Sequence, residues 1–234
     1  MGEATVRRVA VSQSNYIPWK GYFDFIHSVD EFILFDTAQY TRRDWRNRNR
    51  IKTPAGSAWL TIPVVVKGRY RQTIQETEIE DPCWNERHWK TLVHNYARAP
   101  YFDTYCACCE ELYLECQEKL LSRINYRFLV AICEMLGIKT HLTRSAEYPQ
   151  IKGKTERIVE WCKLLKATEY VTGPAAKGYI EEDLFAKAGI ELRYMDYSGY
   201  PEYRQLYPPF EHAVSILDLI FNQGPDAPRY MKSF

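Results

Sequence analysis

No apolar run in this 234-residue chain is long enough to span a bilayer. The opening MGEATVRRVAVSQ has no apolar segment followed by a cleavage site, and Val6 stands where myristoylation of Gly2 would need Ser or Thr. A cytoplasmic protein without membrane insertion is expected. Net charge is nearly absent too: 31 Lys and Arg meet 30 Asp and Glu, a formal +1. Broad non-specific binding of nucleic acid needs a basic surface and is not expected. The seven cysteines are odd in number and have no His or second Cys pair at zinc spacing, which excludes a disulfide framework and a zinc site. Cys106, Cys109 and Cys116 fall with Tyr113 on one helical stripe and read as buried thiols. His88 and His94 are six residues apart, which puts them on different helix faces and not in a metal pair; His27 reads as a packed helical histidine. Internal repeats, low-complexity segments and linkers are missing. So is a phosphate loop: Lys152-Gly153-Lys154-Thr155 looks like the end of one, but Tyr148 stands where the pattern needs its first glycine. Lys154 and Arg157 at a helix start stay open as an anion contact.

What is present is a local concentration of charge. Thr41 to Lys52 reads TRRDWRNRNRIK, with Arg42, Arg43, Arg46, Arg48, Arg50 and Lys52 against one acid, Asp44. Arg46, Arg48, Arg50 and Lys52 fall at every second position, so a strand would point all four to one face. A row of planar guanidiniums suits phosphate or carboxylate, because like charges held together repel unless an anion neutralises them. The plainer alternative is an edge strand protected by charge.

The elements around this run imply an α/β fold: a Rossmann-like, mainly parallel sheet with an antiparallel hairpin extension and a helical insertion. Val9-Ala10-Val11 and Phe32 to Phe35 are continuous apolar runs, as in parallel strands covered on both faces. Trp19, Tyr22, Phe23, Ile26 and Val29 at helical spacing make the pair a β-α-β unit. Residues 46–53, a turn at Pro54 to Ser57, a strand Trp59 to Val66 and a return over 71–79 suggest an antiparallel meander, with Pro63 confining the middle strand to an edge or bulge. Residues 83–137 read as helices breaking at Pro100, near 121 and at Gly137. Strands at 141–143, 169–172 and 190–197 then alternate with helices at 155–165, capped by Thr155, and 180–188; a last helix covers 215–222. One domain over 1–234, its sheet assembled from both ends of the chain, is expected.

Ligands of such sheets bind beyond the carboxyl ends of the strands. The groups expected there are Ser12, Gln13, Asn15 and Tyr16 after the first strand, and Asp36, Thr37, Gln39 and Tyr40 after the second; Trp19 and Lys20 are further substrate-binding candidates. Arg43, Trp45, Arg48 and Asn49 follow in the basic run; Gly173, Lys177 and Tyr179 follow a later strand. Asp36 is the general-base candidate, because a carboxylate at the mouth of a buried strand has its pKa raised; a salt bridge to the basic run is the alternative. The segment YPEYRQLYPPF at 200–210, with Tyr203 and Gln205, reads as a stiff aromatic loop that covers a ligand or packs. One cleft gathering these groups is expected.

The stretches Gln13 to Phe23, Asp30-Glu-Phe32, Asp36 to Tyr40, Arg43-Asp-Trp45, Arg48-Asn-Arg50, Trp59 to Pro63, Tyr203 to Leu206 and Ser215 to Asn222 closely resemble the WbqC-like family. Where the family pattern has His-Pro, this chain has Tyr200-Pro201. The resemblance implies a place in bacterial surface-polysaccharide synthesis, of the O-antigen or lipopolysaccharide kind. A transferase moving an acyl or aminoacyl group onto an amino-sugar, with amide-bond formation, fits that setting. Its partner would be an anionic activated donor: a nucleotide sugar, an acyl carrier or an aminoacyl-tRNA. No cofactor is implied. A non-catalytic sugar- or nucleotide-binding module is the alternative. The β-α-β start also has a topological likeness to nucleotidyl-transferring folds, but its loop Ile17-Pro-Trp-Lys-Gly21 lacks their His-x-Gly-His signature.

Overall fold

The structure, a computed structural model, describes residues 6–234; residues 1–5, with Gly2 among them, lie outside the described residues. In chain order the strands and α-helices are β1 (Arg8–Ser12), α1 (Lys20–His27), β2 (Glu31–Leu34), β3 (Arg48–Thr53), β4 (Gly56–Thr61), α2 (Trp84–Tyr96), α3 (Phe102–Leu114) and α4 (Leu121–Leu136). They continue with β5 (His141–Arg144), α5 (Lys154–Leu164), β6 (Glu169–Thr172), α6 (Glu182–Lys187), β7 (Glu191–Tyr194) and α7 (Ile216–Gln223). None of these helices is long and apolar enough to cross a membrane.

Five strands form a parallel sheet in the order β5-β2-β1-β6-β7. Its central strands are continuous apolar runs because both faces are covered. Ala10, Phe32 and Leu34 enter a large core with α1, α4 and α7, while Val9, Val11 and Ile33 pack with Ile158, Trp161 and Phe185 of α5 and α6 on the other face. The chain moves outward from β1 through β2 to β5, then returns and moves outward the other way through β6 and β7. The order therefore reverses between β1 and β6, the place where doubly wound sheets open a crevice. The loop after β1 sits at that crevice.

Strands β3 and β4 pair with each other and not with the sheet. Their loop is Pro54-Ala55 and not the longer turn expected, so Arg50 lies opposite Trp59 and Arg48 opposite Thr61. Strand β4 stops at Thr61, short of the expected Val66, because Pro63 has no amide hydrogen to donate. The expected return strand at 71–79 is not formed. Thr73 and Glu76 make a reciprocal capping box around a 3₁₀ turn at Ile74–Glu76, which pulls this segment out of extended pairing and leaves only isolated bridges.

The insertion of α2, α3 and α4 ends where Gly137 takes φ 72° after α4. Helix α3 ends at Leu114 and not near 121. Thr155 does not cap α5. Gly153 holds that position, and the buried Thr155 hydroxyl instead accepts the amide of Glu181 at 3.2 Å. Ser215 caps α7 by accepting the amide of Leu217 at 3.3 Å.

Candidate functional site

The loop Gln13 to Trp19 is built by hydrogen bonds from the basic run. Arg46 lays one guanidinium nitrogen against the carbonyls of Gln13 and Ser14, at 3.3 Å each, and against Oδ1 of Asn15. Asn49 donates its amide to the carbonyls of Tyr16 and Ile17 at 3.2 and 2.9 Å, while its own Oδ1 accepts the amide of Arg50. Ile17, at φ 36°, needs that support, because a β-branched residue is strained in this region. The amide of Ser14 donates to Oδ1 of Asp36 at 3.0 Å. Asn125 of α4 ties Ser14 Oγ to the carbonyl of Arg46. Thus the ends of β1 and β2 and the start of the hairpin are knit into one unit.

The loop so held opens a cleft of about 220 Å³, lined by Asn15, Pro18, Trp19, Trp45, Asn49 and Ala213. Trp19 is wedged against Tyr197 and Tyr200, with ring centroids 5.5 Å away in each case. Glycine at position 21 makes this pose possible, since a Cβ there would sit 2.3 Å from the Trp19 ring. Trp45 is 39% exposed and lies 5.4 Å from Trp59. The guanidinium of Arg48 stacks on Trp59 at 4.2 Å. The Asn15 amide nitrogen has no partner among the described residues. The cleft thus offers two indole walls and a free amide donor. Aromatic walls with a few fixed polar groups are the usual make-up of a small-molecule pocket.

Asp36 is not among the residues that line this cleft. It is buried, and it lines a separate recess of about 390 Å³ with Gln75, Glu76, Ser122, Arg123, Arg144, Ser145 and Glu147. Burial pushes its carboxyl up from the ordinary value, partly offset by the Ser14 hydrogen bonds and by Arg46. The geometry therefore gives two recesses, one lined by Asn15 and the other by Asp36, and not the one cleft expected. A shallower groove of about 750 Å³ between α3 and α4 is lined by Glu111, Glu118, Arg123 and Arg127 among others, far from the loop after β1 in the chain.

The alternate-residue row of cations is divided among several tasks. Arg46 is a staple with Asp44 3.5 Å away, Arg50 pairs with Glu211 at 2.7 Å, and Lys52 is buried and donates to the carbonyl of Pro209 at 2.5 Å. Arg48 has no carboxylate partner among the described residues and donates to the carbonyl of Arg43. Arg43 itself stands at φ 59°.

Other groups expected in the cleft lie outside it. Tyr16 is inside the core, bonded to His88 and Tyr113 at 2.9 and 2.8 Å. Gln39 donates to the carbonyl of Tyr70, and the buried Tyr40 takes the carbonyl of Gln72 through its amide. Gly173 sits under Tyr197. Lys177 lies over Tyr194, and Tyr179 is exposed near Lys154. The carbonyl of Gln13 accepts from Tyr22 at 2.9 Å.

The aromatic loop is a lock. Asp218 in α7 accepts from Tyr96 and Tyr203 at 2.8 and 2.7 Å, and Gln205 joins Tyr203 to the backbone of Glu211. Lys20 is buried among the rings of Tyr200, Tyr203 and Phe210, 5.3, 5.2 and 5.9 Å away, and donates to Pro201 at 2.6 Å. Burial lowers its pKa to about 8. Lys20, Tyr203 and Gln205 therefore hold the wall behind Trp19 instead of lining the cleft. His27 stacks on Phe234 at 3.8 Å, as a packed histidine would. No group of three or more metal-binding side chains occurs among the described residues, and all seven cysteines are free.

A five-stranded parallel sheet with a separate antiparallel pair, and an aromatic cleft at the loop after its first strand, define an α/β fold. The chain belongs to the WbqC-like protein family, whose model matches residues 13–230. It is similar to "Uncharacterized protein Rv1507c" of Mycobacterium tuberculosis, at 51% identity over 227 residues, 97% of this chain and 98% of that protein. No solved structure matches the chain significantly. The matched region takes in the whole cleft.

Proposed function

We propose that this chain is a transferase of bacterial surface-polysaccharide synthesis that acts on an amino-sugar or related amine in the cytoplasm. The observation that carries this reading is the cleft between Trp19 and Trp45. Indole faces pack against the apolar C–H faces of a sugar ring, while the Asn15 amide is placed to bond a hydroxyl or N-acyl oxygen. At about 220 Å³ the cleft is smaller than the roughly 300–1,000 Å³ of pockets for drug-sized ligands, so it suits one ring and not a whole activated donor. Family membership supports the setting.

Asp36 is not given the role of a base acting directly on the ring in this cleft, because its buried carboxyl is held by the amide of Ser14 and it does not line the cleft. Its part here is to hold Ser14, and through it Asn15. Positioning and charge stabilisation are then the main sources of rate.

Titration of the protein with N-acetylglucosamine, galactosamine and uronamide sugars, read by tryptophan fluorescence, tests the reading. A saturable change that disappears in Trp45→Ala is expected. A response equal in Trp45→Ala and the parent chain would overturn it.

A further inference from the structure

The cleft takes one ring, yet its outer rim carries cationic charge that the fold leaves unneutralised. Residues 42–50 hold five arginines and one aspartate. Asp44 serves Arg46, and Glu211 serves Arg50. Arg42, Arg43 and Arg48 have no carboxylate within 4 Å among the described residues. Arg42 and Arg43 stand three and two residues before Trp45, and Arg42 and Arg48 both lie near the Tyr40 phenol. Arg48 stacks on Trp59, and Arg42 stacks on Tyr70 at 5.5 Å and donates to the carbonyl of Val66. Trp59 and Tyr70 are 46% and 74% exposed. Each of these two guanidiniums gives one terminal nitrogen to a backbone carbonyl, Arg42 to Val66 and Arg48 to Arg43, which leaves the other terminal nitrogen for a phosphate oxygen.

Three guanidiniums without a carboxylate partner, two of them over exposed rings, match a ligand with two or three negative charges and a planar group. A lone carboxylate carries too little charge and has no plane to stack. We propose that this rim, Arg42, Arg43 and Arg48 with Trp59 and Tyr70, binds a nucleoside diphosphate: the phosphates against the arginines and the base on an exposed ring. The inference rests on the sugar reading of the cleft, since the rim then holds the part of the ligand that the cleft is too small to take. Two carriers share this chemistry, a sugar nucleotide and a coenzyme A thioester. An extended RNA strand is disfavoured by the near-neutral chain, whose formal charge is +1.

Calorimetric titration separates these outcomes, with UDP, UDP-N-acetylglucosamine, acetyl-coenzyme A and a uridine 12-mer as probes. UDP is expected to bind the parent chain. Arg48→Ala is expected to weaken it about ten- to a hundredfold, the loss of a charge-assisted bond, and Arg48→Lys to recover only part. An unchanged melting temperature of both variants shows that the fold is kept. Tighter binding of UDP-N-acetylglucosamine than of UDP, with the gain abolished in Trp45→Ala, identifies a sugar nucleotide. A preference for acetyl-coenzyme A that is lost in Arg48→Ala identifies a thioester, and the rim assignment stands in either case. The assignment is overturned if no diphosphate binds, if Arg48→Ala binds as the parent does, or if only the 12-mer binds. Free sugars that still quench Trp45 while no diphosphate binds would leave the cleft reading intact and remove the rim alone. Binding of UDP that depends on Arg48 without any sugar effect would do the reverse.

Discussion

The phenol of Tyr16 donates to Nδ1 of His88 across 2.9 Å, deep in the core. The direction follows from the other ring nitrogen. Nε2 lies 3.1 Å from the carbonyl of Thr61, which can only accept, so Nε2 carries the proton and Nδ1 must accept. Tyr16 in turn accepts from Tyr113 at 2.8 Å. The relay ties the loop after β1 to β4, α2 and α3.

Burial keeps the His88 ring neutral, and only in the neutral ring does Nδ1 accept. Burial lowers its pKa to about 4, from the ordinary 6.5. Between those values the unfolded chain binds more protons than the folded one, so stability rises with pH. Acidification from pH 6.5 through 4 should remove about 3 kcal/mol through this group alone. Urea midpoints at pH 7 and pH 4 check it, with His88→Phe expected to be less stable at pH 7 but to show a smaller loss on acidification.

Lys20 has a folded pKa near 8, below the ordinary 10.5. In that window the unfolded chain again holds the extra proton, so the contribution of this group to stability should grow as pH rises from 8 to 10.5. Lys20→Met keeps the stem among Tyr200, Tyr203 and Phe210 and should flatten this part of the pH profile. A slope the same as the parent's would show that Lys20 is not desolvated.

Tyr203→Phe removes one of the two phenols that satisfy Asp218. A hydrogen bond to a buried carboxylate is worth about 1.5–3 kcal/mol, and a loss of that order is expected in denaturant. Because Tyr203 also holds Gln205, limited proteolysis should find the 200–210 loop more readily cut.

Gly21→Ala separates stability from binding. Alanine favours a helix by about 1 kcal/mol over glycine, yet its Cβ would displace Trp19 from a position 2.3 Å away. Melting temperature should change little, while sugar affinity falls about tenfold or more with the loss of one wall. Equal affinity would mean that Trp19 is not part of the site.

The parallel sheet was legible because burial on both faces leaves long apolar runs such as Val9 to Val11 and Phe32 to Leu34. Topology pointed to the loop after β1, where Asn15 lies; Trp45 and Asn49, which line the same cleft with it, stood out only as members of the basic run. Trp59 was not legible as a site residue, because its place beside Arg48 and Arg50 depends on the register that the Pro54-Ala55 loop sets. The fate of the cations was not legible, since Arg46, Arg50 and Lys52 differ only in which distant oxygen they meet. Nor could sequence distance show that Asp36 would touch Ser14 and still line another recess.

The most direct measurement is the indole N–H spectrum of the protein, with each tryptophan assigned by substitution, during titration with UDP-N-acetylglucosamine. The Trp19, Trp45 and Trp59 signals are expected to move together and saturate, while the buried Trp84 and Trp161 stay in place. Resonances of Trp19 and Trp45 that do not move at saturating ligand would contradict a sugar site at the mouth of β1.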